Sequence, residues 1–249
     1  MGMVNFMLIH VSIRIRKSFA FSLIFLSFNI LAAEHPDFTG VWGTYREPGQ
    51  TGFSFPSPPP DLPLTEEGRK KVEEYRRLVE GTDDSPGGWC LGTGMPGSML
   101  GSGGYPMEIV QHEDLLIVVY EAHAEIRRIY LQDPTDDKDL FPDRNGYSFG
   151  HWQGDKLIVE TSHLKEAVDQ RRYPHSINAR IIEEYEMSTL EDGRRVLAAK
   201  MTMTDPDFYT EVIKTEKKWQ YLPGTRLLPY ECNEPSWYER LDELREEKQ

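Results

Sequence analysis

The alternation of apolar and polar residues predicts a β-hairpin near the middle of the chain. Two short runs of strand-forming residues flank Gly154-Asp155, a pair suited to the positive φ angles of a tight turn. Pairing outward from the turn sets Trp152 opposite Leu157 and Phe149 opposite Glu160. Successive side chains alternate between two faces. One face is expected to carry Trp152, Leu157, Val159 and Thr161, and the other Tyr147, Phe149, His151, Ile158 and Glu160.

The same alternation continues along the rest of the chain. Further strands are expected at residues 37–45, 107–111, 115–122, 125–131, 179–187, 195–203 and 211–221. Strands that follow one another without intervening helices favour a mainly β domain. We expect an antiparallel meander that forms a lipocalin-like barrel or a strongly curved sheet. Gly40-Val41-Trp42 is similar to the Gly-x-Trp that begins lipocalin-type barrels, and it also fits a core Trp on any strand.

Two peripheral helices are expected beside the strands. Thr65 has the character of an N-cap, and Glu66 and Glu67 favour the first turn of a helix over residues 64–81. The charged residues 237–249 predict a second helix, a C-terminal tail.

A glycine-rich loop is predicted at residues 85–106. Its segment 92–97 matches a dinucleotide-binding pattern, but no strand precedes it and Pro96 interrupts it, so we reject that function. The loop is either a plain surface loop or a cover over a pocket mouth, with Met95, Met99 and Leu100 turned towards the pocket.

Residues 1–33 have the pattern of a secretory signal peptide. Basic residues precede an apolar run over residues 19–31, which ends in Ala32-Ala33. Cleavage after Ala33 would leave one β-rich domain, residues 34–249, in the periplasm or outside the cell and not stably inserted in a membrane. An uncleaved membrane anchor is the alternative. The formal net charge of −13 opposes nucleic acid as a partner.

Cys90 and Cys232 are the two cysteines of the chain. Oxidation in an exported protein favours a disulfide between them. Two buried thiols or a metal site are the alternatives, but the spacings typical of zinc sites are missing. We therefore expect no metal and no other cofactor.

The hairpin face that mixes aromatic and titratable side chains is interpreted as the wall of a pocket. His151 and Glu160 lie diagonally on this face, either as acid and base or as a pair that satisfies a core histidine. Arg127 and Arg128 point to opposite faces of their strand, so one of them must enter a closed sheet and find a carboxylate. Glu108, Glu121 and Glu160 are the candidate partners. The predicted site comprises Arg128, His151 and Glu160 as catalytic residues and Glu108, Tyr130, Tyr147, Phe149 and His175 as ligand-binding residues.

Several short motifs occur in the same order in a family that this chain resembles. They are Cys90 with Gly94-Met95-Pro96, Glu108-Ile109-Val110-Gln111, Arg127-Arg128-Ile129-Tyr130-Leu131, Gly150-His151-Trp152 with Gly154-Asp155, Pro174-His175-Ser176, and Asp205-Pro206 with Tyr209-Thr210. The family consists of exported bacterial proteins of unassigned function, and the resemblance covers most of residues 37–233. It implies no particular activity. Tyr147 and His151 depart from the family, which often has His and Arg at these positions.

Three functions fit these residues. The first is an exported barrel that binds a small, partly apolar ligand. The second is a cofactor-independent isomerase, hydratase or lyase, with Glu160 as base, His151 as acid and Arg128 stabilising negative charge. The third is an envelope interaction protein that uses its surface loops. A serine hydrolase is disfavoured because the Gly-x-Ser-x-Gly elbow is missing.

Overall fold

The computed structural model describes residues 35–47, 61–82, 84–100, 105–132, 137–169, 172–232, 241–242 and 245–246. They all belong to one unit of the chain, His35–Gln249. The predicted signal peptide lies outside the described residues. Most of the predicted tail helix also lies outside them, and its four described residues are helical.

Nine strands form a closed barrel, as the sequence predicts. In chain order the strands are β1 (Gly40–Thr44), β2 (Met107–Gln111), β3 (Leu115–Tyr120), β4 (Glu125–Tyr130), β5 (Tyr147–Gln153), β6 (Lys156–Ser162), β7 (Ala167–Val168), β8 (Pro174–His175), β9 (Arg180–Thr189), β10 (Arg195–Thr204) and β11 (Ile213–Tyr221). Around the barrel the order is β1-β11-β10-β9-β6-β5-β4-β3-β2, and pairing between β1 and β2 closes the ring. Strands β7 and β8 form a separate small sheet.

One pair of neighbours departs from the predicted antiparallel meander. Strands β4 and β5 are parallel, and they pair at Ile129 with Ser148 and at Tyr130 with Phe149. The connection over residues 131–146 therefore returns the chain to the end of the barrel where β4 began. The barrel is mixed, although its other neighbouring strands pair antiparallel.

The hairpin of β5 and β6 has the predicted register, and Gly154 in its turn has a φ of 62°. The inner face of this hairpin is the one that carries Leu157 and Val159, which are 1% and 0% exposed. The opposite face, where Phe149 is 36% exposed, forms the outside of the barrel. The period of two was therefore predicted correctly, but the face interpreted as a pocket wall points outward.

The lower end of the barrel, where β10 begins and β11 ends, is closed by Trp42. Its side chain is fully buried, and its indole N–H donates a hydrogen bond to the Phe38 carbonyl at 2.8 Å. The Arg195 guanidinium lies 5.6 Å from the Trp42 ring and 4.7 Å from the Tyr221 ring. The buried indole fits both expectations for Gly40-Val41-Trp42, the start of a lipocalin-type barrel and a core Trp on a strand.

Two helices lie at the upper end, where β4 and β9 begin: α1 (Glu66–Val79) and the short α2 (Gly97–Leu100). The Thr65 hydroxyl accepts the Gly68 N–H at 3.1 Å, which confirms the predicted N-cap. A Cβ on Gly68 would lie 2.4 Å from the Phe208 carbonyl oxygen, so this glycine lets α1 approach the loop after β10.

Candidate functional site

The barrel interior contains a buried ion pair between Arg127 on β4 and Glu183 on β9. Their side chains are 1% and 0% exposed. One guanidinium nitrogen of Arg127 donates to Glu183 Oε1 at 3.0 Å, and a second donates to Oε2. Since β5 and β6 separate β4 from β9 in the sheet, this bidentate pair bridges the inner faces of β5 and β6 rather than linking neighbouring strands.

Three hydroxyl groups complete the hydrogen bonding of this pair. Arg127 donates to Ser148 Oγ at 3.2 and 3.1 Å and to Thr161 Oγ1 at 2.9 Å. Tyr185 donates its hydroxyl to Glu183 Oε1 at 2.8 Å. We call Arg127, Ser148, Thr161, Glu183 and Tyr185 the interior polar layer. A buried charge is tolerated when it is paired and hydrogen-bonded in this way.

The electrostatics hold Arg127 and Tyr185 of the interior polar layer each in one protonation state. Burial opposes the charge on Arg127, but the facing Glu183 carboxylate more than offsets it and raises the pKa of Arg127. Burial also raises the pKa of Tyr185 well above its usual range, and Glu183 adds to that rise. Tyr185 therefore remains a hydrogen-bond donor over the ordinary pH range.

This geometry suits binding better than proton transfer. Glu183 Oε1 accepts hydrogen bonds from Arg127 and Tyr185, while Oε2 accepts one from Arg127. A general base needs an oxygen that can reach the proton it removes, and both oxygens are already engaged. The layer can hold a polar group at Tyr185, but it does not present a free base.

Below the interior polar layer the barrel is filled by apolar side chains. A space of about 10 Å³, the inner cavity, is bordered by Ile109, Leu116, Val118, Trp219 and the rings of Tyr120 and Tyr185. A space of this size holds about one water molecule. Among the described residues, this cavity therefore leaves no room for a ligand larger than a water molecule beside the side chains as they stand.

The upper end of the barrel is closed by residues 93–100, which we call the plug. Met95, Met99 and Leu100 are buried, with exposed fractions of 0%, 3% and 7%. Of the two expectations for the glycine-rich loop, these residues therefore fit the one in which it covers the barrel. Gly94 has a φ of 66°, and a Cβ there would lie 2.3 Å from the Arg144 side chain, so glycine is required at this point.

Polar contacts anchor the plug to the barrel rim. The Gly94 N–H donates to the two Glu125 carboxylate oxygens at 3.0 and 3.2 Å. Lys217 donates to the Ser98 carbonyl oxygen at 2.9 Å. The predicted disulfide between Cys90 and Cys232 is present, with Cα atoms 5.6 Å apart, and it fixes the chain three residues before the plug begins.

His175 lies at the same end of the barrel but away from the interior polar layer. It is 2% exposed, and neither ring nitrogen makes a well-formed hydrogen bond. Burial lowers its pKa, although the backbone of Lys165 and the Asp205 carboxylate oppose that shift. The imidazole is therefore neutral at pH 7.

The other predicted site residues lie on the outside of the barrel. Six of them are neighbours on the outer face of β4, β5 and β6: Arg128, Tyr130, Tyr147, Phe149, His151 and Glu160. The rings of Tyr130 and Tyr147 are stacked with their centroids 5.5 Å apart. Glu108 lies on the outer side of β2, since the residues on either side of it point inward. The structure thus brings most of the predicted site residues together, but on the open outer surface of the barrel. The catalytic and ligand-binding roles of these residues stay predictions.

The structure shows which of the paired arginines points inward, which the sequence left open, and it corrects the predicted carboxylate partner. Arg128 is exposed and Arg127 is the arginine that enters the barrel. The partner is Glu183, and not Glu108, Glu121 or Glu160. The reason is that the inward positions of β4 are the odd-numbered ones, which also carry Glu125 and Ile129.

Sequence reasoning missed Glu183 and Tyr185. A signal for them existed in the alternation of β9. Ile181, Glu183 and Tyr185 share one face, whereas the other face carries Ile182, Glu184 and Glu186. The first face is the more apolar of the two, and it is the buried one. Its single carboxylate, Glu183, could therefore have been predicted as the partner of a buried arginine.

The fold and the interior polar layer define a closed β-barrel with an ion pair in its core. No family model, no curated protein and no solved structure matches this chain. Within the described part of the chain, no helix is long and apolar enough to cross a membrane. The same residues contain no cluster of three or more His, Cys, Asp or Glu side chains able to hold a metal ion.

Proposed function

We propose that this protein is an exported β-barrel that binds a small, partly apolar ligand inside the barrel. The observation that carries the proposal is the interior polar layer, which lies between the apolar inner cavity and the plug. An apolar core of the same volume is often as stable as a buried ion pair, or more stable. A layer of charge in this place therefore favours a role in recognition.

The barrel interior has an apolar region and a polar region, which match the two parts of such a ligand. The apolar part would occupy the region around Leu116 and Trp219, and the polar end would lie towards the hydroxyl of Tyr120, which borders the inner cavity together with Tyr185 of the interior polar layer. Drug-sized ligands need pockets of about 300 Å³ or more. Room for the ligand therefore requires the side chains of Met95 and Met99 to move aside within the plug, and flexible Met side chains make such a rearrangement easier.

Export is supported by the disulfide and by the predicted signal peptide. Disulfides persist in oxidising compartments such as the periplasm and are rare in the cytosol. The bond between Cys90 and Cys232 would keep the chain before the plug attached while side chains within the plug move.

The test is native mass spectrometry of the protein purified from the periplasm. We expect a bound small molecule that is released on denaturation. The double variant Arg127→Met/Glu183→Leu removes the charge from the barrel interior and should lose this molecule. The matched control is Arg128→Met, which removes an exposed arginine from the adjacent position and should keep it.

The proposal is overturned by either of two results. The first is a wild-type protein with no bound molecule and no stabilisation by a panel of lipids and metabolites. The second is a folded double variant that retains the same ligand with the same affinity as the Arg128→Met control.

A further inference from the structure

We infer that the inner cavity and a second cavity beneath the plug are two parts of one elongated binding site, and that Tyr120 is the gate between them. The second space, the outer cavity, also measures about 10 Å³ and is bordered by Thr93, Ser98, Tyr105 and Glu125. This inference rests on the proposed function, since it concerns a ligand in the barrel interior.

Tyr120 is the residue that the two cavity linings share. It is the last residue of β3, and a 3₁₀ turn, Ala122–Ala124, follows it. The Tyr120 ring thus stands between an apolar space inside the barrel and a polar space at its rim. A rotation of this side chain would join the two spaces without breaking the barrel.

The outer cavity leads towards solvent. Tyr105, on its border, is 49% exposed, whereas Ile109 and Leu116 around the inner cavity are 2% and 1% exposed. A ligand would therefore reach the inner cavity from the Tyr105 side, past Tyr120. The apolar end would enter first and the polar head would remain in the outer cavity.

The outer cavity selects the chemistry of the head group. Glu125 is its charged lining residue, and this carboxylate is 8% exposed. It is held in place by the Gly94 N–H and by the Asn145 side-chain amide, which donates at 3.1 Å. Together with the hydroxyls of Thr93 and Ser98, it favours a head that donates hydrogen bonds, such as an alcohol or an amine, over a carboxylate.

The experiment uses three probes with the same alkyl chain: n-octanol, n-octylamine and octanoate. Binding to the full mature protein is followed by methyl shifts of Ile109 and Ile129, which border the inner cavity. We expect n-octanol and n-octylamine to shift these methyl groups and octanoate to bind about tenfold more weakly, because its charge faces Glu125.

Variants then test the gate and the head-group site separately. Tyr120→Ala and the milder Tyr120→Leu should raise the association rate of n-octanol by about tenfold, because the ring no longer blocks the path. Tyr45→Ala, which borders neither cavity, is the matched control. Glu125→Gln should weaken n-octylamine, leave n-octanol unchanged and remove the penalty on octanoate.

The outcomes separate this inference from the proposed function. If none of the probes shifts the Ile109 and Ile129 methyl groups, ligand binding in the barrel fails, and the gate fails with it. If n-octanol shifts both methyl groups while Tyr120→Leu binds it no faster than Tyr45→Ala, the barrel binds ligands but Tyr120 is not the gate. If Glu125→Gln leaves the order of the three probes unchanged, the head-group assignment is wrong.

Discussion

Replacing Arg127 by methionine is expected to destabilise the barrel far more than replacing its neighbour Arg128. Arg127 is 1% exposed and is the partner of a carboxylate that is 0% exposed. Removing one member of a buried ion pair costs about 3–5 kcal/mol, because the other charge is left without compensation. Arg128 is exposed on the outer face, where substitutions cost about 0.5 kcal/mol or less.

The structure also predicts how the loss can be recovered. Adding Glu183→Leu to Arg127→Met removes the orphaned charge, and Ser148 and Thr161 still bond to each other at 2.9 Å. In this double variant the Tyr185 hydroxyl no longer has Glu183 as its hydrogen-bond acceptor. Leaving a buried polar group without a partner costs about 1–3 kcal/mol. Adding Tyr185→Phe should remove most of that remaining cost.

The assay is urea unfolding of the four variants and the wild type, followed by far-ultraviolet circular dichroism. Among the three interior variants, the free energy of unfolding should fall most for Arg127→Met, less for the double variant and least for the triple variant. Total stabilities of domains are about 5–15 kcal/mol, so the single variant should remain measurable at low urea. Equal losses for Arg127→Met and Arg128→Met, or a double variant less stable than the single one, would refute the reasoning.

Three further predictions concern other parts of the fold. Burial lowers the pKa of His175, so the unfolded chain binds a proton at this residue more readily than the folded chain does. The free energy of unfolding should therefore fall as the pH drops below the ordinary His pKa of 6.5. In urea unfolding at a series of pH values, His175→Phe should make this fall shallower. Reducing the disulfide between Cys90 and Cys232, 142 residues apart, should lower the free energy of unfolding by up to about 5 kcal/mol, as judged by melts with and without reductant. Trp42→Ala should cost about 3–5 kcal/mol in thermal melts because the indole is fully buried, whereas Trp89→Ala, at a site that is 75% exposed, should cost little.

Features with local causes could be predicted from the sequence. The register of β5 and β6 follows from a two-residue turn at Gly154-Asp155, and it was predicted residue by residue. The start of α1 follows from the Thr65 side chain, which reaches a backbone group three residues away. Both are decided within a few residues of the chain, so the local sequence is sufficient.

The direction in which each hairpin face points could not be predicted in the same way. Both faces of β5 and β6 carry apolar residues, and the choice between them depends on how the whole ring closes. The partner of Arg127 lies 56 residues away on β9, across two intervening strands. Local alternation shows that one arginine must be buried, but the pairing of β6 with β9 decides which carboxylate it meets.

The parallel contact between β4 and β5 has a similar origin. Residues 131–146 are rich in acidic and turn-forming residues, and nothing in that composition shows which end of the barrel the chain returns to. Antiparallel pairing is the usual result when strands follow one another through short turns. Residues 131–146 are longer than a short turn, and this length was the one indication in the sequence that β4 and β5 need not pair antiparallel.

Two of the motifs that carry the family resemblance meet at the upper end of the barrel. The Asp205 carboxylate accepts hydrogen bonds from the Ser176 N–H at 2.7 Å and from its hydroxyl at 2.8 Å. The Tyr209 hydroxyl donates to the Pro174 carbonyl at 2.9 Å, and a Cβ on Gly97 of the plug would lie 2.9 Å from the Asp169 carboxylate. These polar groups are engaged in holding the chain closed rather than turned towards a reactant. These contacts therefore hold chain segments together at the upper end of the barrel, and the proposed ligand site depends on how that end opens.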